Sequence, residues 1–237
     1  MMQLEEFLNQ IATVKTRREL WAMVIDHLHD KGVVMASFHA TNMDGQVGAI
    51  VTDGFPEDWT CKYIEEDLVQ IDPIPELAAS MSRPFYWHEI KDLVALRKDA
   101  KAYLDAMDKA RLGDGLAFYV YGPGWQNAYV GLGFGKKRVD LSSEQIFELQ
   151  CIVQATHLRY CALCKERDNT PPPLTARERD VLNWIAKGKS NGVIADILAV
   201  SPHTIDTHVR KIFDKLNVTD RTTAALRGLG NGLIKFV

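Results

Sequence analysis

The chain has 237 residues, 46% apolar and 25% charged, with a formal net charge of −3, an ordinary globular balance that suits one large domain or two modest ones. No apolar run reaches the length of a membrane span. The acidic start MMQLEEFLNQ lacks the basic-then-apolar order of a secretory signal, so a cytoplasmic protein with reduced cysteines and no membrane partner is expected. The charge is uneven. Residues 174–237 carry ten Lys and Arg against six Asp and Glu, while the rest carries eighteen against twenty-five. A basic end on an acidic body points that end at a polyanion.

In chain order, residues 3–15 and 17–31 read as two amphipathic helices, with apolar faces marked by Leu4, Phe7, Leu8 and Ile11, then Leu20, Val24 and Leu28. Residues 33–38 and 47–52 read as strands around the turn signal Asn42-Met43-Asp44-Gly45. Helices follow over 57–70, 73–81 and 92–111. Residues 116–121 and 128–134 form a hairpin around Gly122-Pro123-Gly124, and 142–164 form a long helix. Helices with a largely antiparallel sheet in this order give an α+β domain. The stretch 165–173 turns polar and ends in three prolines, which favour extended geometry. It reads as a linker between a domain of residues 1–164 and an all-α domain of 174–237.

Two lookalikes are set aside. His157, Cys161 and Cys164 fall at i, i+4 and i+7 on one helix face, but a tetrahedral zinc site needs a fourth ligand and none lies nearby in sequence, so no metal is expected. The run from Gly131 to Lys137 has one residue too few between its glycines for a phosphate loop and no Ser or Thr after the lysine, and a glycine-bearing hairpin accounts for it better.

The C-terminal stretch is dense in helix signals. Thr175-Ala176-Arg177-Glu178 has the form of a capping box, and Lys187-Gly188 forms a helix stop. Ser190 starts the next helix, Ala199-Val200 is a short turn, and Ser201-Pro202 offers an N-cap followed by proline at the first helical position. Ile205, Val209, Ile212 and Leu216 then form a buried stripe. The opposite face carries His203, Thr204, Asp206, Thr207, Arg210, Lys211 and Asp214. Two helices across a tight turn, the second polar on one face, are suited to the major groove of DNA. His203, Thr204, Thr207, His208, Arg210 and Lys211 are the candidate DNA-contacting residues. Asp206 is an acid where phosphate repulsion is expected, unless it accepts from a cytosine amino group.

Over residues 174–234 the pattern Leu174-Thr-Ala-Arg-Glu-Arg-Asp-Val-Leu182, Ala186-Lys-Gly-Lys-Ser190, Ser201-x-x-Thr204-x-x-x-His208 and Lys215-Leu-Asn-Val218 resembles the LuxR-type DNA-binding domain. Glu178, Leu182 and Gly188 match three recurrent positions of that family, and all three read as structural. The resemblance implies a fourth helix near 222–229 with a dimer contact, hence a homodimer on a near-palindromic operator. Nothing in residues 1–120 shows the βα rhythm of a receiver domain. Instead, Trp59, Tyr63, Asp72-Pro73, Trp87 and Gly115 resemble, in order and spacing, the ligand domain of acyl-homoserine-lactone receptors. That resemblance implies an α/β/α sandwich with the ligand held between sheet and helices.

The chemistry of the matched residues suits an N-acyl homoserine lactone as effector, with no cofactor and no enzymatic activity. Trp59 donates to a lactone carbonyl, ionised Asp72 accepts an amide N–H, and Tyr63 donates to an amide carbonyl. Trp87 forms a flat wall, and Gly115 permits close backbone approach. Phe55 stands where many relatives carry tyrosine and Arg111 where the family has glycine. Gly131 and Gly133 stand where members present Ser or Thr, leaving space for a longer or aromatic acyl group. Tyr103 matches an aromatic pocket position. Singly, each of these residues is more often structural. As a spaced set they read as a ligand-responsive transcriptional regulator; the alternative is a LuxR-type regulator with a non-lactone signal or no ligand.

Overall fold

A computed structural model describes residues 3–41, 47–136, 138–165 and 173–235. The turn signal at 42–45, Lys137 and most of the linker lie outside the described residues. The chain divides into two compact units.

The first unit begins with α1 (Leu4–Ile11) and α2 (Arg17–Asp30), then β1 (Met35–Thr41) and β2 (Val47–Asp53). Next come α3 (Glu57–Glu65), α4 (Pro73–Ser80), β3 (Phe85–Tyr86), α5 (Ile90–Leu93) and α6 (Lys98–Lys109). It closes with β4 (Gly115–Val120), β5 (Ala128–Gly133) and α7 (Ser143–Lys165). The strands form one sheet in the order β2-β1-β5-β4-β3, and every neighbouring pair is antiparallel.

Side chains alternate across a strand, and here the alternation separates two cores. Phe38, Phe118 and Leu132 face Phe7 of α1, Leu28 of α2 and Ile152 of α7. Met35, Ala117 and Tyr129 face Trp59 of α3, Ile74 of α4 and Leu104 of α6. The result is the expected α/β/α sandwich with an antiparallel sheet.

Local departures from the sequence reading concern helix breaks. The helix expected over 57–70 stops at Glu65, and Asp67, in the left-handed region at φ +48°, starts a separate 3-10 turn over Leu68–Gln70. The helix expected over 92–111 is two helices, because Val94 turns extended after α5 and α6 starts only at Lys98. Neither a proline nor a glycine marks that break. β3 was not expected; at two residues it is too short to show alternation.

The second unit contains α8 (Ala176–Ala186), α9 (Asn191–Leu198), α10 (Pro202–Leu216) and α11 (Arg221–Gly230). Its core includes Val181, Leu182, Ile194, Ile205, Ile212 and Ala224. The cap residues act as their types dictate. The Thr175 hydroxyl accepts from the Glu178 N–H at 3.2 Å, and Glu178 accepts from the Thr175 N–H at 2.7 Å. Ser190, Ser201 and Asp220 cap the three helices that follow. The chain passes from α9 to α10 through Ala199, left-handed at φ +52°, and Gly188 beyond α8 has φ +74°.

Glu178 does more than cap. It is 2% exposed and accepts from Lys215 Nζ of α10 at 2.7 Å. Removing one partner of such a pair strands the other, so Glu178→Ala is expected to cost the full chain about 3 kcal/mol, read by chemical denaturation. A loss no larger than an ordinary cap loss, about 1 kcal/mol, would show that the ion pair is idle. Arg111 offers a test of the opposite sign. It follows α6 with φ +55°, a conformation that costs a side-chain-bearing residue about 1–2 kcal/mol. Arg111→Gly is therefore expected to raise stability by about 1 kcal/mol, visible as an upward shift of Tm.

Candidate functional site

In the first unit a cavity lies between the sheet and helices α3, α4 and α6. It holds about 590 Å³ of atom-free space including its mouth, of which about 70 Å³ takes the centre of a water-sized molecule. The slot is narrow, so a ligand has to spread its walls.

Six of the seven expected ligand residues line this slot: Phe55, Trp59, Tyr63, Asp72, Trp87 and Tyr103. Trp59 and Tyr63 sit one turn apart on α3, which directs both to one side. Asp72 caps α4, its Oδ1 accepting from the Ile74 N–H at 2.9 Å, with Pro73 at the first helical position. Its Oδ2 accepts from the hydroxyls of Tyr63 and Tyr103, each at 3.0 Å. The rings of Trp59, Tyr63 and Tyr103 stand 5.8–6.5 Å apart around the carboxylate.

The Tyr63 hydroxyl, expected to await a ligand carbonyl, thus donates to Asp72 in this state. A carboxylate has about four acceptor positions; three are filled here, and one remains for a further donor. Gly115 does not line the cavity. A Cβ there would come within 2.8 Å of the Trp87 indole and 2.5 Å of the Leu132 carbonyl oxygen, so the group that Gly115 admits is the Trp87 wall itself.

The glycines of β5 also differ from expectation. A Cβ at Gly131 would lie 2.4 Å from the Tyr129 hydroxyl and 2.8 Å from Ser37 Oγ, and one at Gly133 would meet Met35 and Trp87. The protein's own side chains fill the space expected for a longer acyl group. Ser37, His39 and Tyr129 also line the cavity and were missed. The signal was available: they alternate on β1 and β5 with the residues that fill the opposite core.

Electrostatics follow from burial. Burial pushes the Asp72 carboxyl up to about 6, against the hydrogen bonds from Ile74, Tyr63 and Tyr103 that favour its charged form. The Tyr63 and Tyr103 phenols are raised, first by burial and then by the adjacent carboxylate. Burial lowers His39 to about 4, leaving it neutral near pH 7.

In the second unit, α10 presents His203, Arg210 and Lys211 exposed, with Thr207 half-buried between them. The Thr204 hydroxyl shares a hydrogen bond with the Ser201 cap at 2.9 Å, and the Thr207 hydroxyl donates back to the His203 carbonyl at 3.0 Å. His208 is half-buried, its Nδ1 enclosed without a hydrogen-bond partner. Asp206 accepts from Asn191 of α9 at 2.7 Å, which accounts for the acid on this face without a base contact. Asn191 in turn accepts from Arg221 at 2.8 Å. Arg177 and Arg227 donate to the terminal carbonyls of α9 and α10. Four of the ten basic residues counted from sequence, Arg177, Lys215, Arg221 and Arg227, are therefore internal ties.

A buried cavity behind an antiparallel sheet, with a capped helix-turn-helix unit in the same chain, defines a ligand-responsive transcriptional regulator. Residues 16–160 match the autoinducer binding domain and residues 172–227 match the luxR family of bacterial regulatory proteins; the chain belongs to this family of DNA-binding, autoinducer-responsive regulators. It is 27% identical over 204 residues to the quorum sensing-dependent transcriptional regulator RpaR of Rhodopseudomonas palustris, covering 85% of this chain and 82% of the relative. It is 23% identical to the transcriptional activator LuxR of Aliivibrio fischeri, covering 78% and 74%. In fold it is similar to Escherichia coli SdiA, with TM-score 0.77, 21% identity and 98% of each chain covered. Among the described residues, no helix is long and apolar enough to cross a membrane.

The raised carboxyl of Asp72 has a testable sign. Between about pH 4 and about pH 6 the fold retains a proton that the unfolded chain has lost, so this group weakens the ligand-free fold as pH rises through that window. The buried histidines His27, His39 and His157 act in the opposite sense, because burial lowers all three. The comparison must therefore be made against Asp72→Asn. Wild type is expected to lose on the order of 3 kcal/mol relative to the variant between about pH 4 and about pH 7 in chemical denaturation. A difference that does not change with pH would contradict it.

Proposed function

We propose that the effector is an N-acyl homoserine lactone, held in the cavity of the first unit with its amide N–H on Asp72. The observation that carries this reading is the Asp72 carboxylate: buried, ringed by aromatic side chains, and with one acceptor position unfilled. Trp59 supplies a donor-only indole for the lactone carbonyl, and Trp87 a wall for the ring. Tyr63 and Tyr103 hold the carboxylate ionised and aimed. Each methylene of the acyl tail adds about 0.8 kcal/mol on burial.

In this proposal residues 1–164 form the sensor, 165–173 the linker and 174–237 the DNA reader. A ligand that binds only the folded sensor stabilises it by mass action. The stabilised chain acts as a cytoplasmic homodimer that lays two α10 helices on a near-palindromic operator. His203, Thr207, Arg210 and Lys211 meet the groove, and Thr204 and His208 support them. The chain works without catalysis and without a cofactor. A second reading, a non-lactone acyl ligand, is favoured by the likeness of the fold to SdiA in complex with octanoyl-rac-glycerol, with TM-score 0.76 and 19% identity.

Thermal-shift titration of the full chain with acyl homoserine lactones and with octanoyl glycerol separates the two readings. A saturable shift with the lactones is expected, and Asp72→Asn should weaken it about ten- to a hundredfold, the cost of a hydrogen bond to a charged group. A shift with the glycerol ester alone would overturn the lactone reading. On the DNA side, Arg210→Ala should weaken operator binding about tenfold. Its salt dependence should drop by about one counterion if Arg210 meets phosphate, while a changed base preference would assign it to a base edge.

A further inference from the structure

A second, open cleft adjoins the Trp87 wall of the sensor cavity. It holds about 870 Å³, within the range of small-molecule sites. Trp87, Leu104 and Met107, all buried, supply its apolar floor. Lys91 and Arg111 stand exposed on its rim, and among the described residues neither forms an ion pair. The Asp114 carboxylate does not serve them. It is 3% exposed, and it accepts from His88 Nδ1 at 2.6 Å and from the backbone N–H groups of His88 and Val139, each at 3.2 Å. Asp108, exposed on the last turn of α6, is the acid that stands against the two cations.

Arg111 is held on that rim in a strained conformation. The chain leaves α6 by a left-handed turn at this residue, with φ +55°. The Arg111 N–H donates to the Asp108 carbonyl at 3.0 Å and the Leu112 N–H to the Met107 carbonyl at 3.3 Å. Glycine makes such a turn without the clash that a Cβ brings. What the arginine adds is its guanidinium, at the edge of the cleft. Strained residues of this kind cluster at binding sites. An apolar, partly aromatic floor beside a guanidinium and an ammonium matches a ligand with a flat apolar body and a carboxylate. A guanidinium takes a carboxylate in two parallel hydrogen bonds.

We propose that this cleft is a second ligand site, which takes an aromatic carboxylate through Arg111 and Lys91 and opposes binding in the sensor cavity. Trp87 and Met107 line both spaces, and the slot is narrow enough that an effector has to spread its walls. A molecule on the cleft floor hinders that spreading, so each ligand weakens the other by the same factor. The second site stands on the cleft alone; the coupling rests on the lactone reading above.

The test uses the full chain and 1-naphthaleneacetate, an anion at neutral pH, with its neutral amide as the control. Binding is measured by calorimetry at fixed ionic strength for wild type, Arg111→Gly and Lys91→Ala. Wild type is expected to bind the carboxylate saturably and about tenfold more tightly than the amide, the scale of a charge-assisted hydrogen bond. Arg111→Gly should weaken the carboxylate about tenfold and leave the amide within about twofold, and Lys91→Ala should weaken the carboxylate about threefold. Because Arg111→Gly also relieves the left-handed turn, it should lose binding while its Tm rises, which separates loss of the site from loss of the fold. For the coupling, octanoyl homoserine lactone is titrated at rising 1-naphthaleneacetate. Its apparent Kd should climb about fivefold and then level. A Kd that climbs without levelling places both molecules in one cavity and overturns the proposal. So does equal binding of carboxylate and amide, no binding by wild type, or binding that both substitutions leave unchanged. A lactone affinity untouched by saturating carboxylate overturns the coupling and leaves the second site. Failure of the lactone to bind overturns the lactone reading and the coupling together, while the carboxylate titrations still decide the second site.

Discussion

The sensor is organised around a carboxylate that ought not to be buried. Asp72 sits in the helix-facing core because it performs three tasks there: it caps α4, it ties α3 through Tyr63, and it ties α6 through Tyr103. A charge removed from water is tolerated only when hydrogen bonds replace the water, and two phenols and an amide do so in part. The incompleteness is the useful property. A fully satisfied carboxylate would be inert; this one gains from a further donor, and the helices that wall the cavity are the elements it holds. Local satisfaction of one group is thereby coupled to the spacing of three helices, a physical route from ligand binding to a firmer fold.

The second unit spends its charge differently. Arg177, Lys215, Arg221 and Arg227 serve carbonyls, Glu178 and Asn191, so much of the basic excess that suggested a polyanion partner works inside the unit. Asn191 links Arg221 to Asp206, which fixes the start of α9 against α10. These ties set the angle between the two helices of the reader, while the cations left on the outer face of α10 are the ones free to meet phosphate or base.

Much of this was legible in the sequence, and the rest was hidden for identifiable reasons. Caps at Thr175, Ser190 and Ser201 are local chemistry, and they announced their helices. The spaced set from Trp59 to Trp87 marked the cavity because helix periodicity brings such residues to one side. The break at Val94 carried no glycine or proline, being imposed by packing rather than by propensity. His39, Ser37 and Tyr129 were obscured because their significance depends on register between β1 and β5, which no single strand reveals. Gly115 and Gly131 looked like openings for a ligand. They are openings for Trp87 and Tyr129, a distinction that requires knowing which atom lies opposite.

The sheet divides the first unit into one closed core and another that holds a cavity. Each strand contributes alternate residues to each side, so a substitution on one face leaves its sequence neighbours, on the other, in their packing. Substitutions at Ser37, His39 and Tyr129 thus reshape the cavity wall while Phe38 and Val130 continue to pack against α1, α2 and α7. A lineage can change the message it hears without renegotiating the scaffold that hears it.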